Sequence, residues 1–211
     1  MKNILKWLIK GIYAGVLIGM GGVCFLAIDN KIVGSFLFSL GLLTVCMYQY
    51  NLYTGKVGYV INNKLTYIAE LLISLLGNFI GAFLVGFLIR LTRFNSYIVK
   101  AQDLVDKKLN DNLLSIFILA IFCGILMYIA VNNFKTVKDS IGKYIGIFLC
   151  VMAFILCGFE HCIANAFYFS IAGVFSLKVL LYILIMVLGN SVGSIVFALY
   201  DKYVKEKWKV I

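Results

Sequence analysis

The chain has 211 residues, 63% of them hydrophobic and 13% charged, with a mean hydropathy of +1.02 and a formal charge of +10. So apolar a composition excludes an ordinary soluble domain and indicates a multi-pass membrane protein. The lysines fall in short segments between apolar runs and form no continuous stripe, which argues against a nucleic-acid partner and for orientation by the positive-inside rule.

A crossing needs roughly 20 apolar residues. Six runs qualify, at about 8–28, 32–60, 65–89, 113–132, 142–175 and 177–200. The first run follows Lys2, Lys6 and Lys10 and has no small-residue cleavage site, so it reads as a retained helix. Six crossings put both termini on one side. That side collects the N-terminal lysines, Lys64, Lys135, Lys138, Lys143 and the tail Lys202, Lys205, Lys207 and Lys209, which predicts cytoplasmic termini in a cell membrane. The longest connection, about 90–111, carries Asp103, Asp106 and Asp111 among its basic residues and belongs outside.

Runs two and five do not read as simple helices. Run two continues through Tyr48-Gln49-Tyr50-Asn51 into "LYTGKVGY", and run five through "GFEHCIAN". Polar or irregular backbone survives in a bilayer only where protein buries it or where it lines a cavity. Each run is therefore expected to be two half-helices around a break. "LGNFIG" (76–81) and "LGNSVG" (188–193) are near-copies, each in the run after a broken one. Thr54 precedes Asn78 by 24 residues and Asn165 precedes Asn190 by 25. The expectation is an all-α single channel domain over 1–211, built from inverted repeats at about 1–93 and 108–211, with its site between the broken helices 2 and 5.

The chain's one histidine, His161, and Glu160 sit inside run five. An ionisable residue at mid-membrane is by default a pathway or relay candidate. Adjacent residues on a helix diverge by about 100°, so at a break the two divide their work: His161 faces the lumen, while Glu160, with Asn165, supports the loop. A histidine at ordinary pH can exchange a proton with a weak acid. In the first repeat, Thr54 and the free N–H groups of a half-helix start suit a small anion. Lys56 is expected to snorkel to the cytoplasmic surface. Leu52, Tyr53, Phe154 and Phe159 flank these polar groups as apolar constrictions that exclude hydrated ions. The six cysteines show no zinc or redox spacing, so neither a metal nor a cofactor is expected, and nothing suggests an enzyme.

"GFEHCIANAFYF" closely resembles the fifth-helix signature of the formate/nitrite transporter family. "AGVLIGMGG", "LYTGKVGY" and "GNSVGSIVF" resemble its first helix, second-helix loop and sixth helix, in that order. The resemblance implies an aquaporin-like protomer of six transmembrane helices, assembled as a homopentamer in the lipid bilayer, with one pore per subunit. Each pore would serve a small monovalent anion or its conjugate acid, of the formate, nitrite or hydrosulfide class, with possible coupling to protons. It further implies that His161 is the central pore histidine and Thr54 its hydrogen-bonding partner, with Leu52, Tyr53 and Phe154 as constrictions. Lys108, or its neighbour Lys107, would attract anions, and Asn190 would line the pore. Gly124 stands where the family has a second asparagine, which implies a wider or less polar wall. The competing reading is a channel for a neutral solute such as water, glycerol or urea, although a chain without proline cannot carry the paired Asn-Pro-Ala loops of aquaporins.

Overall fold

A computed structural model describes residues 2–205, so Lys207 and Lys209 of the basic tail lie outside the described residues. The described chain is helical. In order, the elements are α1 (Lys2–Ala27), α2 (Lys31–Met47), α3 (Tyr53–Lys56, continued as 3-10 helix over Val57–Asn62), α4 (Thr66–Arg90), α5 (Asn95–Leu109), α6 (Leu113–Thr136), α7 (Ser140–Leu156), α8 (Cys162–Ala172) and α9 (Leu177–Lys205). Helices α1, α4, α6 and α9 are long and apolar enough to cross a membrane, with mean hydropathies of 1.7, 2.3, 2.7 and 2.2. Helices α2, α7 and α8 are shorter and also apolar.

Local chemistry fixes where the short helices begin and end. Asn30 Oδ1 accepts from Ile32 N at 3.0 Å and Val33 N at 3.1 Å to cap α2, and the Asp139 carboxylate accepts from Gly142 N at 2.5 Å to cap α7. Both helices end in the same way. Tyr50 N donates to Val45 O and Gln49 N to Cys46 O, while Phe159 N donates to Phe154 O and Gly158 N to Ile155 O. These are Schellman closures, which need a left-handed residue: Gln49 at φ 55° in the first and Gly158 at φ 70° in the second.

Helix α1 packs against α4, and α6 against α9, while α2 and α7 join the two pairs. Glycine permits the close approach. A Cβ on Gly15 would strike the backbone oxygen of Asn78, and one on Gly124 would strike that of Asn190. Every residue of α8 is buried, as are Tyr53, Thr54, Gly55, Val57 and Gly58 of the other short segment. The long helices thus enclose the two short pieces. Their outer faces expose Leu72, Phe87, Leu114 and Val196, and α7 exposes Leu149, a surface suited to lipid. Helix α5 lies outside this set. It buries Ala101 and Val105 and is tied to the α1–α2 turn by Lys100 Nζ, 2.7 Å from Asp29 Oδ1 and 3.0 Å from Leu26 O. The hydrogen bond from Lys100, with the ammonium charge behind it, holds the Asp29 carboxyl below its usual range.

Candidate functional site

The two interruptions, 48–52 and 157–161, leave buried peptide groups that no helix satisfies. One asparagine serves each. Asn78 Nδ2 donates to Gly11 O and Asn51 O, both at 2.8 Å, and Asn78 Oδ1 accepts from Tyr53 N at 2.8 Å. Asn190 Nδ2 donates to Ala120 O and Glu160 O, both at 2.8 Å, and Asn190 Oδ1 accepts from Cys162 N at 3.0 Å. Gly11, Asn51 and Tyr53 thus become Ala120, Glu160 and Cys162, each 109 residues further on. Asn51 N to Lys10 O and Glu160 N to Leu119 O, both 3.3 Å, complete the match. Each clamp brackets a single residue, Leu52 in the first break and His161 in the second.

A carboxylate, an ammonium and a carboxamide gather at each break, distributed differently. At the first, Lys56 Nζ lies 2.8 Å from Asn51 Oδ1 and 2.7 Å from Glu70 Oε1, and Asn51 Nδ2 donates to Ser74 Oγ at 3.1 Å. Lys56 is therefore ion-paired and does not snorkel as expected, because Glu70 stands within reach on α4. At the second, Glu160 Oε1 and Oε2 accept from Lys108 Nζ at 3.0 and 2.8 Å, and Oε2 also accepts from Asn165 Nδ2 at 2.6 Å. Of the two neighbouring lysines, Lys108 is the one that reaches Glu160 and lines the smaller cavity. The Glu160 carboxylate ties α5 to α8, while its backbone carbonyl, not its side chain, engages the Asn190 clamp.

Between the breaks, Thr54 Oγ1 and His161 Nε2 stand 3.0 Å apart. The chain crosses over to bring them together, since they are 107 residues apart. His161 is the N-cap of α8, where its Nδ1 accepts from Ala164 N at 3.1 Å. A neutral imidazole whose Nδ1 accepts must carry its hydrogen on Nε2. Nε2 therefore donates to Thr54 Oγ1, which frees the Thr54 hydroxyl hydrogen. A second proton on Nδ1 would break the cap bond and place a cation at the positive end of a helix.

Two cavities flank this pair. One, of ≈ 740 Å³, is lined by Lys6, Lys10, Lys56 and Lys135 with Trp7, Tyr50, Phe134, Leu52 and Gly55. The other, ≈ 80 Å³, is lined by Lys108, Phe154, Phe159, His161, Asn165 and Tyr168. Leu52, Thr54, Phe154 and His161 are buried between them. Phe154 stacks on the imidazole at 5.5 Å and meets Phe38 edge-on at 5.7 Å. The Tyr53 hydroxyl sits 2.8 Å from Ser191 Oγ.

Two sequence expectations meet different geometry. Asn190, expected to line the pore, is 0% exposed, and all its polar atoms are engaged with backbone. Gly124, expected to widen the wall, is a helix-crossing point against the Asn190 backbone. Asn51, Glu70 and Ser191 were missed. Glu70, an acid inside an apolar run, was visible by the same rule that singled out Glu160. Among the described residues, no three His, Cys, Asp or Glu side chains gather as a metal site.

Buried helix breaks, paired lysine–carboxylate clusters and apolar plugs between two lysine-bearing cavities define a multi-pass membrane transport protein. The formate/nitrite transporter family model matches residues 1–203, and the chain belongs to that family. It is 28% identical to the formate-nitrite transporter of Plasmodium falciparum, over 92% of this chain and 76% of that one. It is 31% identical to a formate channel of Bacillus thuringiensis over 66% of this chain and 58% of that one. Among solved structures it superposes on a pentameric formate channel with formate bound at a TM-score of 0.86, with 24% identity and 98% of each chain covered. An ion channel of the same family gives 0.78, with 21% identity and 95% and 89% covered.

Proposed function

We propose that the chain conducts a small monovalent anion, or its conjugate acid, of the formate, nitrite or hydrosulfide class across the cell membrane. On this reading it crosses the membrane six times with both termini in the cytoplasm. The second crossing is α2 with α3 and its 3-10 extension, the fifth is α7 with α8, and the halves are inverted repeats. The homopentamer named for the similar formate channel is proposed for this chain too.

The observation that carries the proposal is the Thr54–His161 contact at 3.0 Å, buried between two lysine-lined cavities. Lys6, Lys10 and Lys135 raise the anion concentration on one side, and Lys108 does so on the other. Leu52, Tyr53 and Phe154 strip water. A bare anion among these side chains is costly, because a charge leaves water without a counter-ion. The hydroxyl hydrogen of Thr54, left free by His161 Nε2–H, is the donor aimed at it. Because the Ala164 N–H occupies Nδ1, His161 works as a neutral donor through Thr54, and the proton that converts anion to acid comes from bulk solvent and not from the imidazole.

Formate and nitrite flux into proteoliposomes across pH tests this. His161→Ala and Thr54→Val should each cut flux about 10- to 100-fold, the range for a lost hydrogen bond to a charged group, while Thr54→Ser retains it. A flux indifferent to both losses overturns the assignment. Osmotic swelling without anion flux would establish the neutral-solute reading instead.

A further inference from the structure

The conduit reading leaves one hydroxyl pair without a role. Tyr53 is the middle residue of a short segment: Leu52 before it lines the larger cavity, and Thr54 after it meets His161. It is held at both ends. Its backbone N–H donates to Asn78 Oδ1 on α4, and its phenol reaches Ser191 Oγ on α9, 138 residues away and in the other half of the molecule.

The direction of the phenol contact follows from hydrogen counting. Ser191 Oγ lies 2.5 Å from Val187 O one turn back, so its single hydrogen goes to that carbonyl. The 2.8 Å contact then requires the Tyr53 O–H to donate to Ser191 Oγ. Both hydrogens are spent within the protein. The polarity that tyrosine adds relative to phenylalanine is turned into α9, and the ring is pinned.

We infer that Ser191 is a positioning residue: it latches the Tyr53 ring across the two halves and so fixes the aperture that decides how large an anion passes. This rests on the conduit reading. Without the latch the ring gains rotamer freedom, and the loss falls on size discrimination more than on conduction of the smallest anion.

Proteoliposome flux of formate, acetate and lactate is the test, on wild type, Tyr53→Phe, Ser191→Ala, Ser191→Thr and the double variant Y53F/S191A. Tyr53→Phe is nearly isosteric and guards against misfolding of any one variant. The expected result is a fall of about two- to tenfold in the formate-to-lactate ratio for each single loss, the range that one buried hydrogen bond gives. The double variant should fall no further, because both changes remove the same bond, and Ser191→Thr should keep the wild-type ratio. A wild type that conducts while both single variants keep its ratio overturns the latch, and so do losses that add in the double variant. A wild type that carries none of these three anions, and neither nitrite nor hydrosulfide, overturns the conduit reading itself.

Discussion

A methyl group at position 124 would meet the backbone oxygen of Asn190, so this residue, with Gly189 and Gly193 on the facing helix, sets how near α6 lies to α9. Gly124→Ala should therefore destabilise by about 1–3 kcal/mol, the range for overpacking a close contact, read as a lowered Tm in detergent. The buried lysine–carboxylate pair gives a second expectation. Lys108 and Glu160 side chains are 14% and 4% exposed, so removing one partner strands a charge. Lys108→Met alone should cost about 3 kcal/mol or more, and adding Glu160→Gln should recover part of that loss. A double variant less stable than Lys108→Met alone would contradict the pairing. Neither partner could be matched from sequence, because Lys108 and Glu160 are 52 residues apart and on different elements.

At the scale of elements, the two breaks are built alike but unequally strained. Gln49 and Gly158 hold the same place in their Schellman closures, and only glycine adopts φ near +55 to +70° without a Cβ penalty. Gln49→Gly should raise stability by about 1 kcal/mol, and Gly158→Ala should lower it by a similar amount, both by thermal unfolding. The asparagine clamps matter more. Asn78→Ala leaves Tyr53 N and Asn51 O unpaired in the protein interior, at about 1–3 kcal/mol for each buried group. It should impair recovery of folded protein more than Gln49→Gly alters it, measured by monodispersity after extraction. The sequence exposed these clamps through the paired "LGN" segments, although it assigned Asn190 to the pore. Periodicity locates a polar residue on a helix but not the loop peptide groups it satisfies, which arrive from 27 and 30 residues away.

For the whole molecule, the six crossings proposed above would place the α1–α2 and α8–α9 turns on the side opposite the termini. Cysteines introduced at Ser176 and Lys138 should therefore label from opposite faces with a membrane-impermeant thiol reagent, Ser176 from outside. Labelling of both from one face would overturn the proposed topology. Composition and run lengths by themselves determined that the chain is a helical membrane protein, and "LYTGKVGY", "GFEHCIANAF" and the two "LGN" segments marked where polar groups enter its apolar runs. These are local properties, fixed by transfer free energy and by what backbone can endure without water. The resemblance already paired Thr54 with His161, but the tertiary structure alone decided that Lys56 meets Glu70 and Tyr53 meets Ser191. Those pairs join residues 14 to 138 positions apart.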